Sequence, residues 1–318
     1  MTTEAKLLEG NNHMQEIEQN RQAIIHRFVA ACQADERVVA AFLGGSYARH
    51  ATDAYSDIDF GLITLDEAYD DFFAGREAFI RLLGEPIFLD VFTDYGFDIV
   101  FFTFPNGVEC ELMLGRQSQF THIHVGPYKV LLDPKGCLSG AVFPRPEVAQ
   151  AEQIETLRGI ISWFWHDLCH HFITPLARGQ LWSAYGGLQD LRLACVNLAR
   201  LTVNFSAAPE GYEKVEQTLT GKQLVPLEAT CCPLEQSAML HAALVIVRFY
   251  LELTIPLARK YGIAYPTDLE QVMSARLEQF VDAEGVQVVI SRCQMESPHD
   301  HDLAETADPH AKTKEEQV

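Results

Sequence analysis

The chain has 318 residues, 48% of them hydrophobic, and a mean hydropathy near zero, which predicts a soluble globular protein of one large domain or two ordinary ones. Its net charge is −20, from 24 basic and 44 acidic residues, and such a field repels polyanions. A DNA or tRNA partner is therefore disfavoured, because those interfaces depend on neutralising phosphates, whereas a cationic partner is favoured.

The N-terminal half of the chain alternates between helical and strand patterns. Apolar residues at helical spacing predict helices over 14–34 and 66–84. Short apolar runs predict strands at 38–43, 60–63, 86–93, 98–104, 108–114 and 127–132. Asn106-Gly107 predicts a hairpin turn between the fourth and fifth of these strands. Together the patterns predict a mixed-sheet domain over residues 1–145.

After residue 145 the strand-like alternation nearly disappears. Helical periodicity predicts four helices, at 147–177, 181–203, 234–261 and 267–281. The predicted fold class is therefore α+β, with the N-terminal mixed-sheet domain followed by an all-α helical bundle over 146–292. The last residues, 293–318, are polar and charged and predict a disordered tail.

The most informative segment reads LGGSYARHATDAYSDIDF, from Leu43 to Phe60. Side chains alternate along a strand, so Asp57 and Asp59 point to the same face. Two neighbouring carboxylates repel each other unless a cation lies between them, and Mg²⁺ takes carboxylate and phosphate oxygens. The turn Gly44-Gly45-Ser46 lets backbone N–H groups approach a phosphate, and a helix starting near Ser46 would add its positive end. The segment therefore predicts phosphoryl or nucleotidyl transfer.

This segment resembles the core motif of the polymerase-β-like nucleotidyltransferases, a Gly-Ser turn followed by an acid-apolar-acid triplet. The stretches Gly45–Arg49 and Ser56–Asp59 resemble the small bacterial members and the aminoglycoside and lincosamide nucleotidyltransferases. The resemblance implies transfer of a nucleoside monophosphate, most simply AMP from ATP, to a small-molecule hydroxyl. It also implies pyrophosphate release and two Mg²⁺ ions during turnover. An antibiotic acceptor is one implied substrate.

The family supplies a third metal-binding acid from a neighbouring strand. In the predicted strand 108–114, Glu109 and Glu111 lie one residue apart and share a face. The family pattern at this place is apolar-acid-apolar, which Cys110-Glu111-Leu112 matches and Val108-Glu109-Cys110 matches nearly as well. Glu111 is preferred because it lies deeper in the strand, and Glu109 is the alternative. The other glutamate would then be a rim charge near the acceptor hydroxyl, able to act as a base.

Three further residues near the motif are candidates for the site. The resemblance gives Ser46 a contact with a terminal phosphate. Arg49 would neutralise phosphate charge from one turn into the next helix, or form a salt bridge within the motif loop. Asp90, an acid amid the apolar strand 86–93, is a tentative general base, with pairing at an exposed edge as the alternative.

A second cluster lies in the helical half, where His166 and His170 share a helical face with Trp163 one turn earlier. These three residues are interpreted as an acceptor-side pocket wall. The alternatives are packing between the domains and a zinc-binding histidine pair, although no His-Glu-x-x-His pattern is present.

Localisation and partners follow from what the sequence lacks. The first twenty residues contain no apolar core of a secretory signal, and the eight cysteines lack metal-ligand spacing. The longest apolar stretch, 242–258, is interrupted by Arg248 and Glu252 and predicts a buried helix rather than a membrane span. We expect a cytoplasmic enzyme with no membrane partner. A protein acceptor, a catalytically idle nucleotide-binding module and a homodimer remain open.

Overall fold

The structure, a computed structural model, describes residues 3–93 and 96–283. The chain divides into a first compact unit that ends at Pro146 and a second that begins at Glu147. The predicted tail over 293–318 lies outside the described residues.

A six-stranded mixed sheet forms the centre of the first unit. Its strands are β1 (Val38–Leu43), β2 (Ile58–Thr64), β3 (Phe88–Phe92), β4 (Asp98–Thr103), β5 (Glu109–Arg116) and β6 (Lys129–Leu132). Their order across the sheet is β3-β4-β5-β2-β1-β6. β2 and β5 run parallel in the middle, and the other pairs are antiparallel. This sheet, with the helical second unit, confirms the predicted α+β class.

The first unit contains one long helix, followed by several short helical segments. They are α1 (Thr3–Ala34), α2 (Gly45–Ala48), a 3₁₀ turn (Asp66–Ala68), α3 (Tyr69–Ala74) and α4 (Arg76–Arg81). The prediction of one continuous helix over 66–84 is wrong. Gly75 ends α3 and precedes α4, because glycine is a poor helix former, while the apolar stripe continues through Phe72 and Phe79.

The two faces of the sheet are covered differently. On one face Ile58 and Phe60 are fully buried, and the Phe60 ring lies 4.0 Å from that of Phe28 in α1. On the other face the Phe42 ring packs directly on Gly61. A Cβ at Gly61 would overlap this ring. Asp59 alternates with Ile58 and Phe60, so the helix-packed face holds β2 in place while Asp59 faces the opposite side.

Arg21 of α1 fixes the loop that precedes β2. Its side chain is 4% exposed, and its guanidinium donates to the carbonyl oxygens of Asp53 at 2.6 Å and Ala54 at 2.9 Å. Nearby, the Tyr47 hydroxyl of α2 donates to Glu18 of α1 at 3.1 Å. α1 therefore anchors both ends of the motif that connects β1 and β2.

Arg21→Lys is expected to lower the free energy of unfolding by about 1–3 kcal/mol, because one ammonium cannot span both carbonyl oxygens. Urea unfolding measures the change. The control is Arg81→Lys at an exposed pair with Glu85, where we expect a change within about 0.5 kcal/mol. Equal effects of the two substitutions would contradict an anchoring role for Arg21.

The described part of the second unit is helical, as predicted. Its elements are α5 (Gln150–Asp167), a π-helical turn (Leu168–Ile173), α6 (Thr174–Ala177), α7 (Leu181–Val203), α8 (Val215–Thr218), α9 (Gly221–Glu228), α10 (Gln236–Tyr261) and α11 (Thr267–Ala283). Within the described residues, α10 is the one helix long and apolar enough to cross a membrane, and 61% of its most apolar window is buried. Its Tyr250 stacks on Phe164 at 3.5 Å, as expected of a core helix.

The long helix predicted over 147–177 is interrupted by the π-helical turn. Pro175 provides a physical reason, because its ring crowds the carbonyl four residues earlier, that of His171, and it has no N–H to donate. The His171 carbonyl also packs so closely on α7 that a Cβ at Gly187 would overlap it. The π-helical turn is wider than an α-helical turn and accommodates both constraints. It also changes the directions in which the side chains around it point.

Candidate active site

The parallel pairing of β2 with β5 brings three carboxylates together. Asp57 directly precedes β2, and Asp59 lies opposite Glu111 in register. Oxygen atoms of the three side chains lie within 4.8 Å of one another. Three oxygen donors at this separation fit a divalent cation such as Mg²⁺.

The cluster carries an electrostatic cost. Burial, together with the negative charges of Asp59 and Asp57, raises the pKa of Glu111 to about 7. Burial, with those same two charges, also raises the pKa of the Cys110 thiol, which stays neutral. A bound cation would relieve the repulsion among the carboxylates, so the site is electrostatically suited to one.

Glu111→Gln is expected to stabilise the metal-free protein at neutral pH. Glu111 titrates near pH 7 when folded and near its ordinary value of 4.5 when unfolded. Between these values the folded protein holds a proton that the unfolded chain has released, so stability falls as pH rises to about 7. The variant has no carboxyl group at this position, so its stability should not fall in this way. Its free energy of unfolding at pH 8 should exceed that of wild type by about 1–2 kcal/mol, after allowance for the partial exposure of Glu111.

Urea unfolding in EDTA at pH 5 and pH 8 measures this difference, which should shrink at the lower pH. Glu109→Gln, at an exposed position two residues away, is the control and should show no such trend. A Glu111→Gln variant less stable than wild type at pH 8 would contradict the assigned repulsion.

The turn after β1 lies directly against Asp59. The Gly44 N–H donates to the Asp59 carbonyl oxygen at 2.9 Å. Gly45 has a φ of +49°, and a Cβ there would lie 2.6 Å from Asp59 Cγ and overlap its Oδ2. Only a residue without a side chain fits this position, which leaves a cradle of backbone beside the carboxylates.

Ser46 provides the clearest sign of a missing anionic group. Its Oγ is buried and has no hydrogen-bond partner among the residues that the structure describes. The first helical hydrogen bond of α2 runs from Ala48 N to Gly44 O, so the N–H groups of Gly45, Ser46 and Tyr47 have no acceptor within the helix. A phosphate oxygen would satisfy these donors.

The structure corrects the position predicted for Arg49. α2 is a single turn of four residues, and Arg49 is its C-terminal cap rather than a residue one turn into a helix. Its side chain is exposed. So short a helix adds little dipole, and the cradle depends on the individual N–H groups and the Ser46 hydroxyl.

His124 is a neighbour of the cradle that sequence reasoning missed. A Cβ at Gly44 would lie 2.7 Å from its Cε1 and 3.0 Å from its Nδ1. Its Nε2 is 2.9 Å from the Pro127 carbonyl oxygen, and burial lowers the pKa of its imidazole. Its ring packs against those of Phe42 in β1 and Phe143, which also contact each other.

A cavity of about 390 Å³ opens beside the carboxylates. It is lined by Asp57, Phe88, Phe92, Phe101, Phe102, Thr103, Glu109, Cys110 and Glu111. Glu109 is exposed on its wall, outside the group of three oxygen donors. Another cavity of similar volume, around Tyr69 and Arg116, contains none of the three carboxylates, so the first cavity is the candidate active site.

Asp90 lies on the same face of the sheet but outside the cluster. It pairs with Phe101 in β4, which pairs with Glu111 in β5. Two strand spacings separate Asp90 from Glu111, or roughly 9–10 Å. The Asp90 carboxylate accepts the Val91 N–H at 2.8 Å. A direct role as base stays a prediction.

Trp163, His166 and His170 lie together in the second unit. All three are exposed, with the Trp163 and His170 rings each 5.2 Å from that of His166. Their predicted role on the acceptor side stays a prediction.

Comparison with known proteins places these features in a family. The model of the streptomycin adenylyltransferase family matches residues 18–280. No protein of curated function matches the sequence. Among solved structures, an aminoglycoside 6-adenyltransferase from Bacillus subtilis shares 15% identity, covering 81% of this chain and 96% of that chain, with a TM-score of 0.39.

A nucleotidyltransferase-like protein from Exiguobacterium sibiricum 255-15 shares 13% identity, covering 88% of this chain and 96% of that chain, with a TM-score of 0.30. Likenesses at these TM-scores add nothing to the assignment, which depends on the family match over most of the chain. The chain belongs to the streptomycin adenylyltransferase family and is a nucleotidyltransferase.

Proposed function

We propose that this enzyme transfers AMP from ATP to a hydroxyl of a small cationic acceptor of the aminoglycoside kind, with Mg²⁺, and releases pyrophosphate. The observation that carries the proposal is the carboxylate cluster of Asp57, Asp59 and Glu111 beside the Gly45-Ser46 cradle. Its setting in a chain of this family supports nucleotidyl transfer.

The reaction is an in-line displacement at the α-phosphorus. The acceptor hydroxyl oxygen forms the new O–P bond, the bond from the α-phosphorus to the bridging oxygen breaks, and pyrophosphate leaves with that electron pair. Such chemistry depends mainly on positioning and charge neutralisation.

Each group of the site has a task in this displacement. The N–H groups of Gly45 and Ser46, with the Ser46 hydroxyl, hold the terminal phosphates and aim the α-phosphorus at the carboxylates. Asp57, Asp59 and Glu111 would hold Mg²⁺, which supplies positive charge to the phosphates and acidifies the acceptor hydroxyl. Glu109 takes the proton of that hydroxyl, because it lines the cavity beside Asp57, and Asp90 is the alternative base.

Two observations support a cationic acceptor. The chain carries 44 acidic against 24 basic residues, which attracts polycations. In the cavity, Glu109 and Asp57 lie next to the aromatic rings of Phe88, Phe92 and Phe101. Carboxylates beside aromatic rings suit an amino sugar, whose ammonium groups pair with acids while its ring faces pack on aromatics.

The test is a matrix of four nucleoside triphosphates against streptomycin, other aminoglycosides, lincosamides and neutral polyols, followed by mass spectrometry of the acceptors. We expect pyrophosphate release with ATP and one AMP added to an aminoglycoside. AMP on a lincosamide or polyol alone would contradict the cationic acceptor but keep the chemistry. ATP binding without transfer to any small molecule would favour a protein acceptor or an idle module.

A further inference from the structure

A cluster of metal-binding side chains lies in the second unit, at the junction of α5 and the π-helical turn. Nitrogen atoms of His166 and His171 and a carboxylate oxygen of Asp167 all lie within 4.8 Å of one another. His166 Nδ1 is 3.2 Å and His171 Nε2 is 3.8 Å from the same Asp167 oxygen, Oδ1. All three side chains reach solvent, so a metal ion has access.

The π-helical turn is what brings His171 into this group. In an α-helix, five residues advance by about 500°, which would turn His171 roughly 140° away from His166. A π-helix has more residues per turn and returns the fifth residue close to the first. The face that sequence alone assigned to His166 and His170 therefore holds His171 and Asp167 as well.

The backbone of this turn is held from two sides. Pro175 disfavours a regular α-helical turn over His171, and the His171 carbonyl lies against Gly187 of α7. Single π-helical turns within α-helices occur frequently at functional sites. A fixed backbone keeps the donor side chains near one another without a metal, which lowers the entropic cost of binding one.

The donors and their spacing suit a transition metal rather than Mg²⁺. Imidazole nitrogens favour Zn²⁺, Cu²⁺ and Ni²⁺, whereas Mg²⁺ prefers oxygen ligands. Tetrahedral zinc with ligands 2.0–2.1 Å away places those ligands about 3.3 Å apart, close to the 3.2 and 3.8 Å found here. Three protein ligands would leave the fourth position for water or another group.

We propose that His166, Asp167 and His171 form a zinc-binding site, with an open fourth position, on the preformed π-helical turn of the second unit. The site uses none of the carboxylates assigned to nucleotidyl transfer. Its test is therefore separate from that of the proposed function.

The test is titration of the full chain, freed of metal, with Zn²⁺ by calorimetry, and with Co²⁺ to record its visible absorption. Wild type should bind one Zn²⁺ that His166→Ala and His171→Ala each weaken at least tenfold. These exposed side chains are not needed for folding, so the variants should melt like wild type in EDTA. With Zn²⁺ present, only wild type should gain melting temperature.

Two controls separate this site from other metal-binding groups. His241→Ala removes an exposed histidine of α10, and Glu111→Gln disturbs the carboxylate cluster. Both should keep the zinc affinity of wild type at the proposed site. Equal Zn²⁺ binding by wild type and a His166→Ala/His171→Ala double variant would overturn the proposal, as would the absence of Zn²⁺ binding by wild type.

Discussion

Asp59→Asn is expected to reduce the transfer rate by about 10³-fold, because a metal-bound carboxylate contributes several kcal/mol to the transition state and each 1.36 kcal/mol is tenfold. Asp59 is the central member of the cluster, since it faces Glu111 in register and contacts the cradle at Gly45. Asparagine has nearly the same shape but no negative charge, so the fold should be retained. Steady-state kinetics with ATP and the acceptor measure the loss.

Asp90→Asn is the matched control for this substitution. The change of side chain is identical and the residue is exposed on the same face of the sheet, but β4 separates it from the cluster. If Glu109 is the base, Asp90→Asn should alter the rate by less than about tenfold. Equal losses in the two variants would assign the base to Asp90 instead of Glu109, whereas an Asp59→Asn variant with the wild-type rate would show that the cluster is not the centre of the chemistry.

Gly45→Ala is also expected to reduce the transfer rate, by about 10²-fold, through shape rather than charge. The added methyl group would overlap the Asp59 carboxylate, and the φ of +49° is unfavourable for alanine. Either the turn or Asp59 must move, and a displacement of about 1 Å in a positioned site costs about 10²-fold. The measurements are the transfer rate and the affinity for ATP, both of which should fall.

Gly107→Ala is the control that introduces backbone strain without steric overlap. Gly107 also has a positive φ, +77°, but a Cβ there would meet nothing within 4 Å. We expect it to cost about 1 kcal/mol of stability and leave the transfer rate near that of wild type. If both alanine variants lost activity equally, the close approach of Gly45 to Asp59 would not be the cause.

The sequence was most informative where the physics is local. The strand period alone predicted that Asp57 and Asp59 share a face, and the structure has Ile58 and Phe60 buried on the other. The strands and the helices over 181–203, 234–261 and 267–281 were predicted within a few residues for the same reason. Glu111 was preferred to Glu109 only for its deeper place in the predicted strand, because the register between β2 and β5 cannot be read from either strand alone.

Features that depend on distant parts of the chain were not predictable. His124 reaches Gly44 from a loop that carries no periodic signal, and Arg21 contacts Asp53 across 32 positions. The π-helical turn at His171 depends on packing against Gly187 in another helix, so helical spacing indicated His170 beside His166 but not His171. In each case a tertiary contact sets the position of the residue, and local sequence propensity does not predict such contacts.

The most direct test of the central claim follows the fate of labelled phosphates. ATP labelled at the α-phosphorus, and separately at the γ-phosphorus, is incubated with the enzyme, Mg²⁺ and the acceptor that the panel selects. Nucleotidyl transfer predicts that the α-label enters the acceptor and the γ-label appears in pyrophosphate, both reactions being lost in Asp59→Asn. Entry of the γ-label into the acceptor, with release of ADP, would contradict the account.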